Sequence, residues 1–283
     1  MVGYYPVSIL EALKNMKEHK PMVIVSGGTD TMVCGKKAEN MIFLNRVKEL
    51  RGINEKDGVL IIGAECTYEE ILNENKVPEI FKKAIRQIAS PAIRNSGTLS
   101  GNICNASPAG DTLPVLYALS AVVVSQYSND NGEIITEKTP IEEFILGIRK
   151  IALKEEAIVT SIEIPTKIYS HISKIYYEKV GARKSEAISK LSFIGILKTK
   201  DKRVIDARIA FGSVSIKTVR RPEIEKKMLG LTLREIDNKK QEFIDEYSKF
   251  ITPIDDQRST AVYRKKVCLN LLREFLTENG EIL

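Results

Sequence analysis

The sequence predicts an α+β protein in three consecutive parts, and three observations carry that reading. The first part alternates short apolar runs with helically spaced ones. Three strand-like runs follow one another from Lys174, and from Arg221 onward the pattern is helical. Changes of pattern near residues 55 and 168 divide the chain into 1–55, 56–168 and 169–283.

Taken in order, Ser8 and Glu11 are spaced as a capping box, and Ile9, Leu10, Leu13 and Met16 recur at helical spacing behind them. Met22 to Ser26 and Met41 to Leu44 are short apolar runs that read as strands, as does Val59 to Ala64. Thr67 and Glu70 cap another helix, and 78–90 reads as a further one. A helix through Leu116 and Leu119 precedes the strand from Ala121 to Gln126, an Asn131-Gly132 turn and a returning strand at Glu133 to Thr136. The strand from Ala157 to Pro165 closes this region. Beyond it, 174–180, 191–200 and 204–214 are expected to pair antiparallel, with a polar tip at Lys200 to Arg203, and the last helix is expected from about Gln257 to Thr277.

Composition narrows the function. Hydrophobic residues at 43% and charged residues at 28% describe a folded globular chain. No apolar run approaches the roughly 20 residues of a membrane helix, and the N-terminus lacks a signal-peptide pattern, so a cytoplasmic location without membrane contact is expected. The net charge of +6 is scattered rather than clustered, which argues against nucleic-acid binding. Cys34, Cys66, Cys104 and Cys268 are far apart and read as isolated buried thiols, while His19 and His171 leave little for metal or triad chemistry. No metal site and no catalytic acid or base is expected in the chain; a bound cofactor or a partner must supply the chemistry.

Two glycine-bearing segments invite a ligand. Val25 to Thr31 follows a strand directly; Gly27 and Gly28 permit positive φ and expose main-chain N–H groups, and Ser26 and Thr29 add hydroxyls. It reads either as a plain strand-to-helix turn or as a phosphate nest. Thr98 to Asn102 repeats the chemistry with Thr98, Ser100, Gly101 and Asn102. Two such loops suit a diphosphate held between them. Neither carries the lysine of a triphosphatase loop or a complete dinucleotide-fold glycine pattern. Asp111 stands before a helix, as an N-cap, as an acceptor for ribityl or ribose hydroxyls, or as both.

Ser26 to Asp30 (SGGTD) and Arg94 to Leu119 (RNSGTLSGNICNASPAGDTLPVLYAL) resemble the FAD-binding medium subunit of the molybdenum hydroxylases, among them xanthine, carbon monoxide and nicotinate dehydrogenases. The resemblance continues through Ser161 to Pro165, Tyr176 to Ser192, FGSV with the Arg220-Arg221 pair, and Asp255 to Val267, and so spans essentially the whole chain. It implies a small α/β subdomain and a larger α+β subdomain binding FAD, then a C-terminal domain of three antiparallel strands with helices. It implies that Ile24, Val25, Ser26, Gly27, Gly28, Thr29, Asp30 and Thr31 wrap the pyrophosphate from one side. Thr98, Leu99, Ser100, Gly101 and Asn102 would approach it from the other. Asp111 would hold the ribityl or ribose portion, and Ile88 and Ile158 would contact the ring systems unless they are ordinary core. Lys179 matches the family's flavin-site lysine and would stabilise the anionic reduced flavin, the other reading being a surface ion pair. Two departures stand out: Ser100 replaces the first of two adjacent glycines, so it needs φ below zero or bears strain, and Thr31 replaces an aliphatic residue.

The function so implied is electron transfer. A molybdopterin-binding large subunit hydroxylates a small substrate, xanthine before nicotinate or another purine and these before carbon monoxide. A [2Fe–2S] small subunit passes electrons to FAD, which delivers them to NAD+ or another acceptor. A stand-alone flavin reductase or dehydrogenase of the same fold and a nucleotide-binding regulatory module are the alternatives; flavin content and reduction by NADH distinguish the three.

Overall fold

The computed structural model describes residues 2–33 and 39–278. Cys34 lies outside the described residues. The first half contains β1 (Val2–Tyr4), α1 (Ile9–Glu18), β2 (Met22–Val25), β3 (Asn40–Phe43), β4 (Ile53–Lys56), β5 (Val59–Gly63), α2 (Tyr68–Asn73), α3 (Glu79–Arg86), α4 (Pro91–Ser96), α5 (Leu99–Asn105) and α6 (Thr112–Ala118). Then come β6 (Val122–Ser128), β7 (Ile134–Pro140), α7 (Ile141–Phe144), β8 (Ile145–Gly147), β9 (Lys150–Ile151), β10 (Ile158–Pro165) and α8 (Thr166–Tyr169). The chain finishes with β11 (Lys174–Val180), β12 (Leu191–Lys200), β13 (Arg203–Gly212), β14 (Val219–Arg220), α9 (Pro222–Glu225), α10 (Leu233–Asn238), α11 (Lys240–Ser248) and α12 (Ala261–Leu276). Internal contacts gather these into two units. One holds the chain up to Pro78 with Ala89–Ala106 and Ser120–Thr166; the other holds Glu79–Ile88, Ser107–Leu119 and everything from Lys167.

The first unit contains two main sheets. A parallel sheet in the order β1-β3-β2 pairs both Val2 and Met22 with Asn40. In the adjoining α1, Ala12, Leu13 and Met16 form the buried face, whereas Leu10 points to solvent at 62% exposure. The Ser8 hydroxyl accepts the Glu11 N–H at 3.2 Å, but the Glu11 carboxylate reaches one residue past the cap to the Val7 N–H at 2.7 Å, so the box is displaced rather than closed. The box at Thr67 and Glu70 is complete and starts α2. The second sheet is antiparallel, in the order β4-β5-β10-β6-β7, with Ile158, Ile162 and Ile164 of its middle strand fully buried. Its β6–β7 hairpin turns at Gly132, whose φ of 82° needs no side chain there.

Several elements of this unit were not foreseen. β1 and β4 are short, and α4 and α5 occupy a stretch in which the glycine-rich reading had only a loop. The hydroxyls of Ser90 and Thr98 accept N–H groups three residues on, which starts a helical turn despite the small, polar composition.

The second unit is built on an antiparallel sheet in the order β11-β12-β13-β14, the three expected strands joined by a two-residue fourth. Residues 191–198 of β12 are all buried, so both faces are covered. On one face Phe193 meets Phe211 and Phe275 with ring centroids 5.2 and 5.7 Å apart, and Phe211 meets Tyr247 at 5.4 Å. Burying each such ring stabilises the fold by about 1.5–3 kcal/mol. Gly195 is required there because a Cβ would lie 2.6 Å from the Phe275 ring. On the other face the wholly buried α6 sits with Pro114 close to Gly212. The last helix begins at Ala261 behind the cap Thr260, a few residues later than its sequence suggests.

Cys66 and Cys268 are buried free thiols, one in each unit, and Cys104 is a partly buried one. Among the described residues no cluster of potential metal ligands occurs, and no helix is long and apolar enough to cross a membrane.

Candidate functional site

In the first unit the two glycine-bearing segments meet directly. Ile24 and Val25 end β2, and the chain then turns through Ser26, Gly27, Gly28, Thr29, Asp30 and Thr31. Gly28 has φ of 70°, a conformation that strains any residue with a Cβ, although a Cβ there would meet only the side-chain carbons of Met32 and Val25, each at 3.6 Å. Gly27 is bare for a different reason: a Cβ would stand 2.0 Å from the Ser96 carbonyl oxygen, so the main chain leading to α5 presses on this turn. Among the described residues, the N–H groups of Gly27, Gly28 and Thr29 meet no acceptor of the chain, although the turn is half-buried. Donors left in this state suit an anionic oxygen. Asp30 pairs with Arg149 of the β8–β9 hairpin at 3.0 Å.

Thr98 to Asn102 is a helix start rather than a loop. Thr98 caps α5, its Oγ1 accepting the Gly101 N–H at 3.1 Å and lying 2.6 Å from Ser26 Oγ. Leu99 is core, and the Ser100 hydroxyl donates to the Ala64 carbonyl at 2.6 Å, so Ser100 has helical, negative φ and bears no strain. Gly101 leaves room for the cap, since a Cβ would lie 2.9 Å from Thr98 Oγ1. Beneath both segments stands Glu65, 1% exposed, whose Oε1 accepts the Ser26 hydroxyl. Burial pushes its carboxyl above the ordinary carboxylate range; the Ser26 bond and Arg51 pull it back and Glu70 adds to the rise.

The second unit contains Ile88, Asp111 and Lys179. Asp111 occupies the N-cap position of α6 without capping it. One carboxylate oxygen takes the Lys179 ammonium at 2.8 Å and the other takes the Ser189 hydroxyl. Lys179, on β11, also donates to the Gln87 carbonyl at 2.7 Å, beside Ile88 at the end of α3. With side chains 6% and 10% exposed, this is a buried ion pair and not the surface pair weighed for Lys179. Burial raises the Asp111 carboxyl, while the Lys179 charge and the bonds from Lys179 and Ser189 oppose that rise.

The structure thus joins residues 24–31 to 98–102 within one unit, and Asp111 to Lys179 within the other. Ile158, by contrast, is fully buried in β10, which makes it part of the packing. Glu65, Ser189, Arg149 and the Ser96 carbonyl were not singled out from sequence. Nothing local marks them, because their partners lie 39, 78 and 119 residues away for the first three.

Comparison with known proteins agrees with this architecture. Residues 2–167 match the family described as FAD binding domain in molybdopterin dehydrogenase, and residues 176–279 match the CO dehydrogenase flavoprotein C-terminal domain. The chain is 27% identical to the glyceraldehyde dehydrogenase medium chain of Sulfolobus acidocaldarius, over 92% of this chain and 91% of that one. It is 30% identical to the xanthine dehydrogenase of Dictyostelium discoideum over 80% of this chain, but spans only 19% of that longer protein. Carbon monoxide dehydrogenase from Hydrogenophaga pseudoflava shares the fold, with a TM-score of 0.87, 23% identity and coverage of 97% of this chain and 95% of that one. Unpaired turn donors fit the diphosphate of the cofactor that the matched domain binds, and this chain is an FAD-binding oxidoreductase subunit of the molybdenum hydroxylase family.

Proposed function

We propose that the chain binds the FAD diphosphate with residues 24–31 and 98–102 and passes electrons from a [2Fe–2S] partner subunit to NAD+ or another acceptor, in an enzyme of the xanthine dehydrogenase type. The observation that carries the diphosphate site is the set of acceptor-free N–H groups at Gly27, Gly28 and Thr29 beside the Ser26 and Thr98 hydroxyls. Bound FAD supplies the exchange between one-electron and two-electron chemistry. The protein's part is to hold it: the left-handed Gly28 turns donors toward an anion, and the Ser96–Gly27 contact fixes the turn against α5. For Ile88, Asp111 and Lys179 the proposal rests on the family resemblance. Its support in this chain is the burial of the Lys179–Asp111 pair, with Lys179 also donating to the Gln87 carbonyl and the Ser189 hydroxyl donating to Asp111.

The oxidised substrate belongs to the partner. A molybdopterin-binding large subunit and a [2Fe–2S] small subunit would complete the enzyme, with xanthine as the first substrate to try and nicotinate next. An aldehyde is the second reading, favoured by the near full-length similarity to a glyceraldehyde dehydrogenase medium chain. The test is to titrate the isolated chain with FAD, mix the complex with NADH, and assay the assembly copurified with its partners against xanthine, nicotinate and glyceraldehyde. Flavin reduction without substrate turnover by the isolated chain supports the subunit reading; turnover by the chain alone contradicts it. Gly28→Val is expected to weaken FAD at least tenfold, and unchanged affinity would remove the diphosphate from this turn.

A further inference from the structure

Glu65, Ser26 and Thr98 form a continuous line of oxygens: Glu65 Oε1 to Ser26 Oγ, then Ser26 Oγ to Thr98 Oγ1 at 2.6 Å, ending on the Gly101 N–H at 3.1 Å. Each hydroxyl has one proton to donate and two lone pairs to accept with, and an ionised carboxylate only accepts. Proton counting therefore allows two states. With Glu65 ionised, Ser26 must donate to it, and the Ser26–Thr98 contact needs the Thr98 proton. Both hydroxyls then point inward, and the diphosphate would face oxygen lone pairs backed by a negative charge. With Glu65 protonated, its own O–H donates to Ser26, which still accepts from Thr98 and is left with a free proton. Ser26 is half-buried while Thr98 is 4% exposed, so Ser26 is the hydroxyl placed to donate outward.

We infer that Glu65 is a positioning residue for the dinucleotide, its proton deciding whether the Ser26 hydroxyl is offered to the diphosphate or withdrawn from it. The inference rests on the proposed diphosphate site. Binding then takes up one proton at Glu65, with no other bond made or broken: the proton from solvent ends on the carboxyl, and the Ser26 proton turns from Glu65 to the phosphate oxygen. Arg51 and Glu70 are the charged groups acting on Glu65, and they oppose each other and are paired at 3.1 Å. The neighbouring Cys66 thiol is pushed up by burial and stays neutral, its Sγ–H donating to the Gly52 carbonyl. Burial also keeps the Glu65 proton in place to higher pH than an ordinary carboxyl would.

The test is to titrate flavin-free full-length chain with FAD from mildly acid to mildly alkaline pH, reading affinity by flavin fluorescence and proton uptake by calorimetry in buffers of different ionisation enthalpy. The wild type should take up one proton per FAD on the alkaline side, where affinity falls about tenfold per pH unit. Glu65→Gln, whose amide N–H donates to Ser26 permanently, should bind without uptake and as tightly in alkali as the wild type does in acid. Ser26→Ala should weaken FAD and abolish uptake. Wild-type uptake persisting in Glu65→Gln, or weakened binding with uptake intact in Ser26→Ala, overturns the inference while leaving the diphosphate site standing. Unchanged affinity in Ser26→Ala also overturns the inference, and Gly28→Val then decides separately whether the diphosphate site stands. Should Glu65→Gln fail to fold, the wild type and Ser26→Ala still decide the matter.

Discussion

Lys179 and Asp111 show what a buried charge demands. Replacing Lys179 by Met leaves the Asp111 carboxylate with only the Ser189 hydroxyl as a donor, at a cost of about 3–5 kcal/mol in unfolding free energy. Adding Asp111→Asn should recover much of that loss, and urea unfolding of the two variants measures both. Glu65 makes a prediction of opposite character. Its carboxyl is raised in the folded chain and ordinary in the unfolded one, so between those two values the folded chain holds the extra proton. The Glu65 contribution to stability is therefore fully present below the ordinary carboxylate value and lost as pH rises through the raised one. Thermal unfolding of the flavin-free chain should shift down over that window, and Glu65→Gln should flatten the shift. Sequence reading picked out Ser26, Thr98, Asp111 and Lys179 because hydroxyls, glycines and a family motif surround them. It passed over Glu65 because a glutamate after an apolar strand resembles any surface glutamate until the chain folds over it.

At the level of elements, caps decided more than propensity. Thr67 and Thr232 each close a full box with a glutamate three residues on, and both lie in sequences whose pattern already suggests a helix. Thr232→Ala should cost about 1 kcal/mol, measurable as a lower denaturation midpoint. α5 is the contrary case: serine, glycine and asparagine disfavour a helix interior, and the Thr98 cap with Leu99 and Ile103 buried holds the turn instead. β1 was invisible because three residues carry no period, and only its parallel pairing with β3 defines it. The long strands were legible for the converse reason, runs of Val and Ile bounded by turns. Within β12, Gly195→Ala forces a methyl group against the Phe275 ring, where a Cβ would come within 2.6 Å. A loss of about 1–3 kcal/mol is expected, and shortening Phe275 to Leu in the same chain should relieve part of it.

For the whole molecule, sequence order and contact order part company. Glu79–Ile88 and Ser107–Leu119 belong by contact with the residues after Lys167, an allegiance that nothing in their local sequence displays. It follows from burial: α6 has every residue from Thr112 to Ala118 covered, which a helix achieves only between other layers. Binding FAD to the folded chain alone should raise its unfolding free energy by mass action, about 2.7 kcal/mol at a hundredfold excess over Kd. Thermal shifts against flavin concentration test this. The buried thiols offer a separate handle on such equilibria. Cys66 and Cys268, at 2% and 0% exposure and with ionisation suppressed, cannot be alkylated until the surrounding structure parts. In a chain with Cys34 and Cys104 changed to serine, the two labelling rates become independent clocks. One times excursions around the antiparallel sheet that contains β5 and the other those of the C-terminal helices, so trapping with and without nucleotide reveals which unit of the polypeptide a ligand quiets.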